Sequence, residues 1–164
     1  MKKLFVILLS ALLLLSSCTG AKQTQTPAEI MAVIQGSGIE FADVYDYNGE
    51  TFDDDILSGL YGDLFEHPTT ADFTDYYVSV DETPLKPQEI GVFVCKDEQT
   101  AAKMAEFISS RIERLAENAR NYQSVDATGI NSAWVKASGC YVGYVMLCSD
   151  SENAINIVKE GIGA

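Results

Sequence analysis

The sequence predicts an α+β fold: an antiparallel sheet of about four strands from two strand–strand–helix units, helices on one face, preceded by one or two short helices. Three observations carry that expectation. Apolar side chains recur at three- and four-residue intervals between Gln99 and Asn121, and two pairs of apolar runs are divided by turn residues. The pattern Cys-x-Asp-x-x-x-Ala occurs at Cys95 and again at Cys148, each time where a strand should hand over to a helix.

Ahead of that domain, residues 1–17 read as an address. Lys2 and Lys3 give a positive start, and Leu4 to Leu15 is an almost unbroken apolar run. Its length suits the h-region of a signal peptide, about 7–15 residues, and falls short of the roughly 20 that span a bilayer as a helix. Leu15-Ser16-Ser17-Cys18 follows directly. An apolar residue, two small residues and a cysteine form a lipobox. The small side chains let the backbone enter a peptidase site, and the thiol takes a diacylglycerol thioether. Cys18 is therefore expected to be the lipidated N-terminus of the mature protein, anchored on the outer, extracytoplasmic side of the cell membrane. Two acyl chains suffice for that, since each buried methylene contributes about 0.8 kcal/mol and one chain alone is marginal. Residues 18–26 are small and polar and read as a flexible tether, and 27–164 as a single α+β domain.

The elements follow in order. Thr26-Pro27-Ala28-Glu29 starts a helix, with Thr26 as cap, Pro27 in the first turn and Glu29 closing a capping box. Ile30, Val33 and Ile34 would form its apolar face, and Gly36 or Gly38 its end. The acidic, aromatic stretch from Phe41 to Phe52 contains Asn48-Gly49, the signal for a small local hairpin. Asp53-Asp54-Asp55 then favours the start of a short helix ending at Gly62. Asp63 to Thr74 reads as irregular. Tyr76 to Val80 and Ile90 to Cys95 read as strands joined through Pro84 and Pro87.

The long helix from Gln99 to Asn121 has Asp97 as its cap and a stripe running through Ala101, Met104, Ile108 and Ile112. Its charged side, which includes Lys103, Arg111 and Arg114, reads as solvated surface. Ser132 to Ala137 and Tyr141 to Leu147 form a second hairpin around Ser138-Gly139, and Ser151 to Glu160 a last helix. In the Cys-x-Asp-x-x-x-Ala echo, Asp caps each helix, Ala lets it lie close to the sheet, and Cys fills a buried strand end.

Composition narrows the function classes. The chain carries 11 basic and 24 acidic residues, a net charge of −13, and loss of Lys2 and Lys3 would lower it by two more. Such a surface repels phosphate backbones and anionic headgroups, so no nucleic-acid partner is expected, and membrane attachment must come from the lipid. Of four cysteines, the lipidated Cys18 leaves Cys95, Cys140 and Cys148, an odd remainder that cannot fully pair within the chain. With one histidine, His67, and no CxxC, a structural zinc site is not expected.

Three site readings stay open on the residues. Cys95 and Cys148 precede helix starts and would serve a thiol-dependent enzyme with His67, although Asp97 and Asp150 oppose thiolate formation. If the two thiols ended neighbouring parallel strands, they could also join in a disulfide. A calcium-dependent module would draw on Asp43 to Asp55, with Asp46, Asn48, Asp53 and Asp55 as candidate ligands. Placing Gly49 sixth in an EF-hand loop puts apolar Val44 first, which breaks that pattern. Finally, if helices cover one sheet face, the other would display aromatics such as Tyr76, Tyr77, Trp134 and Tyr141 for binding. No phosphate loop, Ser-His-Asp spacing or metalloprotease motif is present, and no cofactor is expected.

The lipobox, Asp54-x-x-Leu57-x-x-Leu60-Tyr61-Gly62, Glu89-Ile90-Gly91-Val92-Phe93, the long Arg-bearing helix and Gly139-Cys140-Tyr141-Val142 together resemble one group of small lipoproteins of Gram-positive anaerobes. That group is known only as domain of unknown function 4358. The resemblance covers most of the chain after about Asp53. It implies exposure outside the cytoplasmic membrane and brings no catalytic residue or cofactor. The sequence thus leads to a membrane-tethered, non-enzymatic module that binds a protein or small ligand.

Overall fold

The computed structural model describes residues 24–39, 44–63, 65–81, 83 and 85–164. The signal peptide, Cys18 and Asp43 lie outside them. Helix α1 spans Pro27–Gly36, strand β1 Val44–Asn48, α2 Asp54–Tyr61, β2 Phe73–Asp81, β3 Glu89–Cys95, α3 Glu98–Asn121, the single turn α4 Thr128–Asn131, β4 Trp134–Ser138, β5 Tyr141–Met146 and α5 Ser151–Gly161. All strand pairs are antiparallel, in the order β1-β2-β3-β5-β4. The α+β class and both strand–strand–helix units are present, with five strands in the sheet where about four were expected.

The added strand is β1. Its Asn48-Gly49 dipeptide closes no local hairpin: β1 pairs with β2, Val44 opposite Asp81 and Asn48 opposite Tyr77. Gly49, at φ 55°, instead opens a 3₁₀ turn that delivers Phe52 to the core. A positive φ is a position glycine takes without a Cβ penalty, whichever turn it serves.

The helices cover both faces of the sheet, which corrects the expectation of one. On one face α1 and α5 bury Ile30, Ile34, Ala154 and Val158 against Ile90, Val92 and Val145. On the other, α2 and α3 bury Leu57, Tyr61, Met104 and Ile108 against Val78, Phe93 and Val142. The physical reason lies in β3. Ile90, Gly91, Val92 and Phe93 are all buried, and a strand with no polar alternation must be covered on both sides. The aromatics expected on an open face therefore pad the cores, with Tyr77, Trp134 and Tyr141 in the first and Tyr76 in the second. Opposite placement of α3 and α5 also means that the Cys-x-Asp-x-x-x-Ala echo is no symmetric duplication. A two-fold axis exchanging the antiparallel neighbours β3 and β5 would put both helices on one face.

Local chemistry explains the ends. Thr26 and Glu29 form the expected capping box, with the Glu29 N–H donating to Thr26 Oγ1 at 3.2 Å and the Thr26 N–H to Glu29 Oε2 at 2.8 Å. Val33 of the expected apolar face is exposed, and Met31 is buried in its place. Asp53 and Asp97 cap α2 and α3 through side-chain oxygens, at 2.9 and 2.7 Å. Asp150 does not cap α5: it takes the left-handed conformation, φ 55°, and makes no side-chain cap bond. The connection from β5 is so short that this residue turns the chain, a role Asp tolerates better than most. No helix among the described residues is long and apolar enough to cross a membrane.

Candidate functional site

One polar cluster is buried between α2, α3 and the sheet. Register places Gly91 of β3 opposite Tyr144 of β5, and a Cβ on Gly91 would lie 2.3 Å from the tyrosine ring. The missing side chain lets Tyr144 lie across β3. Its hydroxyl shares a 2.6 Å hydrogen bond with that of Tyr61 and reaches Glu89 at 3.4 Å. Arg111 of α3 answers Glu89, its Nε 3.0 Å from each carboxylate oxygen and its Nη2 bonded to Oε1. Nη1 of Arg111 and Nη2 of Arg114 both donate to the Leu60 carbonyl, at 3.2 and 3.0 Å, which fastens the end of α2 to α3.

Electrostatics fix the protonation of the two tyrosines and of Arg111. Burial, reinforced by the Glu89 charge, holds the hydroxyls of Tyr61 and Tyr144 well above their ordinary range, so both stay protonated. Burial pulls Arg111 down, but the charge and hydrogen bonds of Glu89 outweigh it and hold the guanidinium above its usual value. Glu89 and Arg111 also line a cleft of about 300 Å³, with Asp81 and Asn118. Two locked tyrosines and a permanent cation surround the Glu89 carboxylate and make the cluster a clamp between β3, β5, α2 and α3. Arg111 thus leaves the solvated face assigned to it: among the charges of α3, it finds a carboxylate on β3 in the core.

The thiols are separated by the antiparallel order. Cys95 ends β3 beside the β4–β5 turn, and its N–H donates to the Cys140 carbonyl at 2.8 Å. Cys148 lies past the other end of β5, its N–H bonded to Gln88 at 2.9 Å. Eight residue steps of near-extended chain part Cys140 from Cys148, roughly 26 Å at ~3.3 Å each. The parallel geometry that a Cys95–Cys148 bridge required is therefore absent. Burial, then neighbouring Cys140, Asp72 and Asp97, pushes the Cys95 thiol up to about 12. None of the hydrogen bonds among the described residues joins His67 to a thiol.

The calcium candidates disperse in the same way. Asp46 accepts from Ser79, Asn48 opens a 3₁₀ turn, Asp53 caps α2, and Asp55 is exposed in its first turn. No group of three or more His, Cys, Asp or Glu side chains among the described residues could hold a metal ion.

A second concavity, about 220 Å³, opens where α3 begins. Phe73, Met104 and Phe107 supply apolar wall, and His67, Lys96 and Lys103 reach its lining from three segments. Lys96 pairs with Asp72 at 2.6 Å and Lys103 with Glu66 at 2.5 Å, while the Lys103 ammonium stands 5.6 Å from the centre of the Phe107 ring. Asp72 also lines the cleft, so the two lysines stand there already balanced by Asp72 and Glu66. The cleft was not legible in the sequence, because the loop holding His67 and the start of α3 lie about thirty residues apart.

The family model for Domain of unknown function (DUF4358) matches residues 42–147. The chain belongs to this family. No curated protein and no solved structure matches it. The DUF4358 segment runs from just before β1 to just after β5, so it holds the whole clamp and the whole cleft. Helices α1 and α5, which build the opposite core, lie outside it. The residues that carried the family resemblance now have physical roles. Leu57 and Tyr61 are buried in the α2–α3 core, Glu89 pairs with Arg111, and Gly91 admits Tyr144.

Proposed function

We propose that this DUF4358 protein is a membrane-tethered extracytoplasmic lipoprotein that works as a non-enzymatic binding module. Its ligand seat is the cleft at the start of α3. The observation that carries the reading is that cleft: apolar wall from Phe73, Met104 and Phe107 beside Lys96 and Lys103, which are paired with Asp72 and Glu66. An apolar surface with a few convergent polar groups is the usual build of a small-ligand site. Its chemistry suits a small molecule with an apolar body and an anionic group that exchanges with Glu66 on the half-exposed Lys103. The tether rests on the lipobox at Cys18. The thiol-enzyme alternative is weakened by the burial of Cys95, whose thiol stays protonated at neutral pH.

Two measurements test the two halves separately. Cys18→Ser should move the protein from the membrane fraction to the soluble fraction, and a variant that stays in the membrane would refute the lipid anchor. Thermal-shift titration with short- and medium-chain carboxylates should raise the melting temperature of the wild type but not of Met104→Trp, whose indole would fill the cleft. Equal shifts in both proteins, or none in the wild type, would refute the seat.

A further inference from the structure

We propose that Cys95 and Cys140 are a modification site, a thiol pair that closes to an intrachain disulfide when it meets a small-molecule disulfide. The geometry comes from the sheet. Val94 faces Tyr141 across β3 and β5, so the next pair outward is Cys95 and Cys140, joined by the 2.8 Å bond from the Cys95 N–H to the Cys140 carbonyl. Hydrogen-bonded antiparallel partners hold their Cα atoms about 5.5 Å apart, within the 4.4–6.8 Å that disulfides span, while their Cβ atoms, about 4.5–5.5 Å apart, must close by roughly 1 Å to reach disulfide geometry. The two thiols also interact electrostatically, while Cys148 sits at the far end of β5. Both are free here. Cys140 occupies the β4–β5 turn, after Gly139 at φ 55°, where a small backbone shift is absorbed more readily than inside a strand.

Exposure sets the order of events. Cys140 is half-buried and Cys95 is 2% exposed, so the small disulfide meets Cys140 first. The Cys140 thiolate attacks one sulfur of the reagent, whose sulfur–sulfur bond breaks, and one small thiol leaves. Cys95 then loses its proton and attacks the Cys140 sulfur of the mixed disulfide, expelling the second small thiol. Two protein thiols are oxidised by two electrons, and one small disulfide is reduced to two small thiols. The second step is the slow one, because the buried Cys95 is held as a thiol, and its rate climbs as pH rises.

The test uses the full-length protein in detergent with oxidised glutathione as the probe. Non-reducing peptide mapping should find a Cys95–Cys140 cross-link, preceded by a glutathione adduct on Cys140. Closure should be about tenfold faster at pH 9 than at pH 8. Cys148→Ser should close as the wild type does. Cys95→Ala should stop at the Cys140 adduct, and Cys140→Ser should form no intrachain link. A Cys140 adduct that persists in the folded wild type, or a cross-link through Cys148, would overturn the proposal.

Discussion

Replacing Arg111 with methionine strands the Glu89 carboxylate inside the α2–α3 layer. The side chain of Glu89 is 3% exposed and that of Arg111 15%, so water can do little to restore the lost counter-ion. Removing one partner of such a buried pair costs about 3–5 kcal/mol, a large fraction of the roughly 5–15 kcal/mol that holds a domain together. For a domain of this size that is a fall in melting temperature on the order of 10–20 °C. The double variant Glu89→Met/Arg111→Met should behave differently. It leaves no buried charge, Tyr144 keeps its bond to Tyr61, and the Leu60 carbonyl keeps Arg114. Its stability should return to within about 1 kcal/mol of the wild type, giving a strong favourable coupling in the mutant cycle. Urea unfolding followed by the emission of Trp134, the one tryptophan in the chain, reports each variant. An Arg111→Met loss below about 1 kcal/mol would refute the claim that Glu89 is desolvated. A double variant no better than the single would show that Arg111 acts through its shape rather than its charge.

Alkaline pH should destabilise the fold, because Cys95, Tyr61 and Tyr144 all have raised values in the folded state. The unfolded chain releases those protons first, so stability is full below about pH 8.5 and falls as pH climbs towards 12. Melting temperatures at pH 8 and 10.5 should differ less in Cys95→Ala than in the wild type, and an unchanged difference would exclude a Cys95 contribution. Gly91→Ala forces the new Cβ against the Tyr144 ring and should cost roughly 1–3 kcal/mol in urea titration, where a neutral change would mean that the ring is free to move. Thr26→Ala removes the capping box of α1 and should cost about 1 kcal/mol, with loss of amide-exchange protection confined to the first turn of that helix.

Much of the architecture was legible because it is written locally. Asp53, Asp97 and Thr26 cap where their chemistry places them, and the stripe through Ala101, Met104 and Ile108 fixes which side of α3 is buried. What escaped depends on contacts between distant segments. An amphipathic stripe shows that a helix packs but not on which face of the sheet, so α3 and α5 could not be separated from their own sequences. The continuous apolar run Ile90 to Phe93 was the available signal that both faces are covered. Asn48-Gly49 prescribes a turn, and nothing near it reveals that β1 pairs with β2 rather than with its own neighbour. Arg111 was read as solvated because the other charges on its helix face outward, and only the fold brings Glu89 beneath it. The cleft escaped for the same reason, since His67, Phe73 and Lys103 share no segment.

The entry to α1 meets the exit of α5, and that meeting sets a posture. The Gln25 N–H bonds the Gly161 carbonyl at 2.9 Å, and Ser138 reaches Gly163 at 3.5 Å, next to the turn that holds Cys140. The exit of α5, the entry to α1, the Cys95–Cys140 pair and the mouth of α3 therefore share one pole of the sheet. Seven residue steps lead from Cys18 to Gln25, a maximum reach of ~25 Å. On the lipid anchor proposed at Cys18, that pole would lie within this reach of the bilayer. On that same proposal, the cleft would open into the thin layer of solvent over the membrane, where an amphiphile leaving or entering the lipid would pass.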